Sequence, residues 1–253
     1  MSSSASGFSS CCLQTFTWSG TPTGTETKLA ANDAYVTGDN KDAAVLFIHD
    51  LFGWRYNNIR LLADHYAREA DVTVYVPDFF GGWVADHKLV EDERFDLIDL
   101  PKMAKLNSRE IRGPEMVACA KALKAEHGFQ RLGAIGFCYG GWAVCHLASK
   151  ERGEKLVDAI SFGHPSWLVQ EDIANLTVPI QLLAPEIDPS FTPELKKYTF
   201  ATLLDLNLPF EYVHYPAIVH GSLVRGSEKL EKEREAMAAA KNSAVAWFRR
   251  LLH

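Results

Sequence analysis

Short apolar runs alternate with helix-like patterns along most of this chain, and this alternation is what most constrains its fold. The runs are "AVLFI" (44–48), "VTVYV" (72–76), "RLGAI" (131–135), "VDAISF" (157–162), "VPIQLL" (178–183) and "FEYVH" (210–214). Each has the length and apolar content of a buried strand. Apolar residues recur at helical spacing in 55–70, 114–127 and 227–251. The pattern predicts an α/β fold with a mostly parallel sheet flanked by helices on both faces.

The organisation expected from the sequence is one domain over residues 11–253, preceded by a disordered Ser-rich tail over residues 1–10. Short β-like pieces lie within 11–43, and "SGTPTGTE" (19–26) and "GDNKD" (38–42) are expected as hairpin turns at a sheet edge. Residues 84–113 are charged and irregular, so we expect a long excursion with a short helix that could act as a lid. The helix that follows should start at Pro114, since proline suits the first helical turn.

Composition excludes several classes of protein. A net charge of -6 without a basic cluster argues against a nucleic-acid partner. No apolar stretch reaches 18 residues, and no secretory signal pattern is apparent, so neither a membrane association nor secretion is expected. Five cysteines without a C-x-x-C pair suggest no disulfide framework, metal or cofactor. We therefore expect a reduced, cytoplasmic protein that acts on a small molecule; a monomer and a weak homodimer fit equally.

Three chemically active side chains follow the ends of predicted strands. Cys138 follows 131–135, Asp188 follows 178–183 and His220 follows 210–214. Parallel strands end at the same edge of a sheet, so these side chains should meet there. Nucleophile, acid, histidine is also the chain order of α/β-hydrolases. Each residue alone has a structural explanation, such as a buried thiol, an Asp–Pro turn or a solvated histidine; their combination favours a catalytic triad.

The segment "GFCYG" (136–140) matches the nucleophile elbow G-x-S-x-G with sulfur in place of oxygen. Cys138 would lie at a helix N-terminus, where the helix dipole and free N–H groups favour a thiolate. His220 would act as its base and Asp188 would orient the imidazole. The oxyanion hole would use the backbone N–H groups of Tyr139 and Leu51.

With these residues, the chain resembles the dienelactone hydrolase family of α/β-hydrolases. The matching segments are "FIHDLFGW" (47–54), "VPDFFGG" (76–82), "GFCYGG" (136–141), "GHPS" (163–166), "APEIDPSFTPE" (184–194) and "VHG" (219–221), and "CCLQTFTWSGTPTGTE" (11–26) is similar to the opening of fungal members. The resemblance implies that the Cys138–Asp188–His220 triad hydrolyses a lactone or ester through a thioester. It also implies that an acid at Asp50, usually a glutamate, pairs with the resting thiol, which protects the thiol from oxidation.

The substrate is less constrained by the sequence. The candidates for substrate binding are Phe52, Trp54, Phe80, Trp83, His164 and Arg225. Arg225 lies near the place of a family arginine that holds a substrate carboxylate, with different spacing from the histidine. The many large aromatic residues suggest an aromatic or polyketide-derived lactone. Two alternatives stay open: a cyclase, lyase or acyl transferase on the same scaffold, and a non-catalytic small-molecule binding protein.

Overall fold

The computed structural model of the protein describes residues 15–83, 89, 94 and 97–253. The strands are β1 (Thr25–Leu29), β2 (Asn32–Thr37), β3 (Ala43–Ile48), β4 (Thr73–Pro77), β5 (Arg131–Phe137), β6 (Ala159–Gly163), β7 (Ile180–Ile187) and β8 (Phe210–Val219). The helices are α1 (Asn57–Ala70), α2 (Leu100–Leu106), α3 (Arg109–Ala125), α4 (Gly140–Leu147), α5 (Gln170–Ala174), α6 (Pro193–Asp205), α7 (Ser222–Arg225) and α8 (Glu231–Leu252). The expected tail over 1–10 lies outside the described residues, as do residues 84–88, 90–93, 95 and 96 of the expected lid over 84–113.

The eight strands form one sheet in the order β1-β2-β4-β3-β5-β6-β7-β8. From β4 to β8 every neighbouring pair is parallel, whereas β2 is antiparallel to both β1 and β4. The central strands β3 and β5 are buried along almost their whole length, as their continuous apolar sequences predict. A mostly parallel sheet is therefore confirmed.

Helices cover both faces of the sheet. A Cβ built at Gly133 of β5 would meet the Phe248 ring of α8, whereas one built at Gly136 would meet the Gly140 backbone of α4. Residues three apart on a strand point to opposite faces, so α8 and α4 lie on opposite sides. Helix α1 packs with α8, and α3 packs with α4. The core is thus divided into two layers by the sheet.

The N-terminal turns differ from the sequence prediction. The β1–β2 hairpin turns at Ala30, where φ is +50°, and not at either predicted segment. Residues 19–24 precede β1, and 38–42 connect β2 to β3, which do not pair with each other. The residues predicted to form turns do lie largely in loops. Their residue types did not specify which strands those loops join.

Helix α3 begins at Arg109, five residues before the predicted start, so that Pro114 lies inside the helix. Its first turn is anchored by ion pairs from Arg109 to Asp172, at 2.8 Å, and from Arg112 to Glu115, also at 2.8 Å. The tertiary contact with Asp172 and the pair within the helix together offset the backbone hydrogen bond that a proline removes within a helix. Among the described residues, no helix combines the length and the apolar character needed to cross a bilayer.

Candidate active site

Cys138 lies in the tight turn between β5 and α4 with a left-handed backbone, at φ = +51°. Its N–H donates to the Gly163 carbonyl at 3.2 Å, and its own carbonyl accepts from Gly141 at 3.0 Å and Ser166 at 2.8 Å. A non-glycine residue in this region is strained and needs such support from its surroundings. This is the backbone conformation expected of a nucleophile elbow.

The glycines of the elbow are required by close approach. A Cβ at Gly136 would lie 2.1 Å from the Gly140 carbonyl oxygen, and one at Gly140 would lie 2.3 Å from the Ile48 oxygen. A Cβ at Gly141 would lie 2.4 Å from Pro165. The G-x-C-x-G-G spacing therefore packs the start of α4 directly against the end of β3 and against the loop after β6.

Asp188 and His220 form a buried hydrogen-bonded pair at the carboxyl ends of β7 and β8. His220 Nδ1 lies 2.9 Å from Asp188 Oδ1, and both side chains are about fully buried, at 1% and 0% exposed. The same carboxylate oxygen accepts from the Ser190 and Phe191 N–H groups at 2.9 and 3.0 Å. The Asp188 carboxylate is thus held in place by N–H groups of its own loop. Because it binds Nδ1 of His220, the other imidazole nitrogen, Nε2, points away from it.

The predicted oxyanion donors lie on the two segments that the elbow glycines bring together. Leu51 follows β3 and Tyr139 begins α4, and both residues are fully buried. His49 beside them has a structural role: its Nε2 accepts from the Phe79 N–H at 3.1 Å, so Nδ1 carries the proton and donates to the Asp50 carbonyl at 2.8 Å. Burial lowers the pKa of His49, which keeps it neutral.

The structure places the Asp50 carboxylate against Arg225, and the pairing with the Cys138 thiol that the family resemblance implied stays a prediction. Asp50 Oδ2 lies 2.6 Å from Arg225 Nε, and Oδ1 accepts from the Phe52 N–H at 3.0 Å. Both side chains of the ion pair are 0% exposed. A guanidinium satisfies a buried carboxylate far better than a neutral thiol does. The proposed role of Arg225 in binding a substrate carboxylate stays a prediction.

The aromatic residues proposed for substrate binding lie mostly in packing contacts. Phe52 packs on Tyr56, with ring centroids 5.1 Å apart, and the guanidinium groups of Arg55 and Arg60 lie over Trp54 at 4.6 and 4.9 Å. Phe52 and Trp54 are 0% and 2% exposed. Side chains packed in this way contact a substrate only if a pocket extends to them. Their role in substrate binding therefore stays a prediction.

Phe80 and Trp83 connect the elbow to a cavity. The Phe80 ring contacts Tyr139 at 4.9 Å and Trp83 at 6.2 Å. Trp83 is partly exposed and borders an open cavity of about 380 Å³ that α2 also lines. The other side chains around this cavity are Leu89, Leu97, Ile98, Asp99, Lys102, Met103 and Leu106. Its volume lies within the usual range for small-molecule sites.

The loop after β6 is a part of the site that the sequence did not identify beyond His164. The His164 ring lies 4.9 Å from that of His220, centroid to centroid, and Ser166 Oγ lies 3.3 Å from Cys138 Sγ. In the sequence, Ser166 appeared only as the last residue of the matching segment "GHPS" (163–166). A serine has no signal of its own in a sequence, because its role depends on which side chain the fold brings to it.

The other two described thiols lie within helices and not in a strand-to-helix turn. Cys119 and Cys145 are free and buried within α3 and α4. Burial raises the pKa of Cys119 to about 12, and burial likewise raises that of Cys145. A thiol with a raised pKa is inert as a nucleophile at neutral pH. Within the described ranges, no group of three or more His, Cys, Asp or Glu residues is arranged to hold a metal ion.

Comparison with known proteins gives a consistent result at the level of family. Residues 32–252 match the model of the dienelactone hydrolase family. Hydrolase tropI of Talaromyces stipitatus is 27% identical over 248 residues, which cover 94% of each chain. Dienlactone hydrolase 2 of Gibberella moniliformis is 26% identical over 249 residues, 94% of this chain and 92% of that one. Carboxymethylenebutenolidase homolog of Homo sapiens is 36% identical over 132 residues, half of each chain.

Solved structures share the fold. A putative dienelactone hydrolase from Klebsiella pneumoniae superposes with a TM-score of 0.68 at 19% identity, covering 89% of this chain and 98% of that one. A dienelactone hydrolase from Anabaena variabilis has a TM-score of 0.65 at 17% identity, with coverage of 91% and 98%. These similarities identify the architecture as an α/β-hydrolase fold.

Proposed function

The chain belongs to the dienelactone hydrolase family and is a hydrolase of the lactone or ester type, and from this premise we propose that it works through a nucleophilic cysteine. Cys138 would supply the nucleophile, His220 the base and Asp188 the orienting acid. The observation that carries this proposal is the buried Asp188–His220 pair, with its 2.9 Å hydrogen bond, at the sheet edge where Cys138 is presented with φ at +51°. A thiol, an imidazole and a carboxylate in that relation are the parts of a cysteine triad.

The proposed reaction has two steps that His220 links by proton transfer. His220 takes the thiol proton, Sγ forms a bond to the carbonyl carbon, and the carbon–oxygen bond to the leaving group breaks as His220 returns the proton to that oxygen. A thioester remains on Cys138. Water then loses a proton to His220 and attacks the thioester, and the thiolate leaves and regains the proton. A lactone opened in this way yields one hydroxy acid.

The charge that develops on the carbonyl oxygen needs two donors. The backbone N–H groups of Leu51 and Tyr139 are our candidates, because the start of α4 packs so closely on β3 that a Cβ built at Gly140 would lie 2.3 Å from the Ile48 carbonyl oxygen. The bond from Phe52 N–H to Asp50 fixes the turn that contains Leu51. Donors that are already oriented stabilise the tetrahedral intermediate without reorganisation.

For the substrate we propose a lactone or ester with an apolar, aromatic or polyketide-derived ring. The cavity of about 380 Å³ beside Trp83 supports this, because Ile98, Met103 and Leu106 give it an apolar wall. Lys102 and Asp99 at its border could orient polar substituents. The partner would then be this small molecule alone, and a reducing, cytoplasmic setting agrees with the free thiols of Cys119, Cys138 and Cys145.

The test is turnover of a chromogenic ester by Cys138→Ala and Cys138→Ser, with Cys119→Ala as the matched removal of another buried thiol. We expect both Cys138 variants to lose hydrolysis while folding normally, and Cys119→Ala to retain it. Mass spectrometry of the parent enzyme after rapid quenching should detect an acyl adduct on the Cys138 peptide. Full turnover in Cys138→Ala would refute the nucleophile. Incorporation of ¹⁸O from labelled water into the product distinguishes hydrolysis from rearrangement.

A further inference from the structure

Ser166 contacts the elbow cysteine through both its backbone and its side chain. Its N–H donates to the Cys138 carbonyl at 2.8 Å, and its Oγ lies 3.3 Å from Cys138 Sγ. Ser166 is 1% exposed and Cys138 is 0% exposed. The hydroxyl is therefore held against the sulfur in a place that bulk solvent does not reach.

The loop that carries Ser166 is strained on both sides of it. His164 has φ at +34° and Trp167 has φ at +64°, and neither is a glycine. Pro165 between them presses against Gly141, where a Cβ would come within 2.4 Å. Such conformations are unfavourable for residues other than glycine and persist where the surrounding structure enforces them, often at functional sites. The fold thus maintains an unfavourable loop that places this hydroxyl on Sγ.

The chemistry of the two groups determines which of them donates the hydrogen bond. A neutral thiol and a hydroxyl can each donate to the other. A thiolate has no proton, so only the Ser166 hydroxyl can donate once the sulfur is ionised. Hydrogen bonds to an ionised partner are also stronger than those between neutral groups. The contact therefore stabilises the thiolate more than the thiol.

We propose that Ser166 is a further catalytic residue, whose hydroxyl donates a hydrogen bond to the Cys138 thiolate. This bond increases the thiolate population and holds Sγ in one orientation for attack. It weakens when the sulfur becomes a thioester and forms again as the thiolate leaves, so it assists both the attack and the release. The inference rests on the proposed role of Cys138 as nucleophile.

Other ionisable groups also act on the sulfur and set the pH at which it ionises in the parent protein. Those on the elements packed around the elbow are His49 and Asp50 after β3, Asp78 after β4, Tyr139 at the start of α4, His164 after β6, Asp188 after β7, His220 and Arg225 after β8, and Arg109 and Arg112 in α3. All are the same in the parent and in the variants proposed below. Their contributions cancel when those proteins are compared.

The experiment measures the rate at which iodoacetamide alkylates the Cys138 peptide between pH 5 and 9, with mass spectrometry separating it from the other cysteines. Ser166→Ala and Ser166→Gly remove the hydroxyl, and Ser166→Thr retains one. Ser161→Ala is the matched control, because Ser161 is a buried serine on β6 whose hydroxyl bonds Gln181 at 2.8 Å. Circular dichroism establishes that each variant is folded.

We expect the midpoint of the alkylation profile to rise by about one pH unit in Ser166→Ala and Ser166→Gly, a tenfold loss of thiolate below the midpoint. Ser166→Thr should return toward the parent value, and Ser161→Ala should match it. An unchanged or lower midpoint in the two variants without a hydroxyl overturns the proposal, as does an equal rise in Ser161→Ala. A failure of the nucleophile assignment is recognised separately, by ester turnover that survives in Cys138→Ala.

Discussion

Asp50 and Arg225 form an ion pair in which Oδ2 and Nε are 2.6 Å apart and neither side chain is exposed. The Arg225 guanidinium also lies over the Phe52 ring, 5.0 Å from its centroid. The pair connects the turn after β3, which contains the proposed oxyanion donor Leu51, to α7, which follows His220. This ion pair therefore holds together two segments of the proposed active site, the turn after β3 and α7.

Removing either partner should strongly destabilise the fold. We expect Arg225→Met and Asp50→Asn each to lower the free energy of unfolding by about 3–5 kcal/mol, because each removes one member of a fully buried ion pair and leaves the other buried. The double variant should lose less than the sum of the two, since no lone charge remains. Urea unfolding of the parent, the two single variants and the double variant measures this coupling.

A surface ion pair provides the control for that cycle. Lys28 and Asp33 are also 2.6 Å apart, but their side chains are 71% and 54% exposed. Lys28→Met should therefore change the free energy of unfolding by no more than about 1 kcal/mol. If Arg225→Met had an equally small effect, burial of the Asp50–Arg225 pair would not have the importance that we assign to it.

The approach of α4 to β3 gives a second prediction, about Gly140. The Cβ of an alanine there would lie 2.3 Å from the Ile48 carbonyl oxygen, so α4 must move away from β3. We expect Gly140→Ala to lower stability by about 1–3 kcal/mol and to reduce ester turnover, because the Leu51 and Tyr139 N–H groups separate. Gly153→Ala, at φ = +69° in open space, should cost about 1–2 kcal/mol and leave turnover unchanged. Normal activity in Gly140→Ala would contradict this.

The buried strands were the part of the fold that the sequence predicted best. The run at 131–135 became β5 over Arg131–Phe137, and the run at 44–48 became β3 over Ala43–Ile48. Both runs are largely apolar, because a strand that is buried on both faces has apolar residues at successive positions. The same logic located the strands that lead to the edge at which Asp188 and His220 meet, although β7 and β8 extend to Ile187 and Val219, beyond the predicted runs at 178–183 and 210–214.

What the sequence did not predict depends on distant partners. The start of α3 is set by Arg109 binding Asp172, 63 residues away, and the partner of Asp50 is Arg225, which local spacing cannot identify. Helix α6 was also missed, although Thr192 at its N-cap and Pro193 after it are a recognisable start signal. Side-chain pairing across the fold, unlike periodicity, has no local signature.

The response of stability to pH should depend in part on His146. Burial, with the nearby charges of Arg152 and Arg109, lowers the pKa of His146 from 6.5 to about 4. Between these values the unfolded chain binds a proton that the folded protein does not, so the free energy of unfolding falls as the pH falls. His146→Gln should make this slope shallower by at most about 1.4 kcal/mol per pH unit. Urea titrations at pH 4–7 measure it; exposed His214→Gln should retain the parent slope, and an unchanged slope in His146→Gln would contradict the assignment.

Asn58, fully buried on α1, holds the segment before β1 against the loop that follows His220. Its side chain accepts from the Trp18 N–H at 2.8 Å and donates to the Phe16 and Val224 carbonyls at 2.8 and 3.1 Å. We expect Asn58→Ala to lower the free energy of unfolding by about 2–3 kcal/mol, because it leaves buried backbone groups without partners. Asn57→Ala, which removes one part-buried and one exposed bond to the same segment, should cost less than about 1 kcal/mol. Urea unfolding compares them, and limited proteolysis should cut residues 15–24 faster only in Asn58→Ala; equal behaviour of the two variants would show that Asn58 does not anchor this segment.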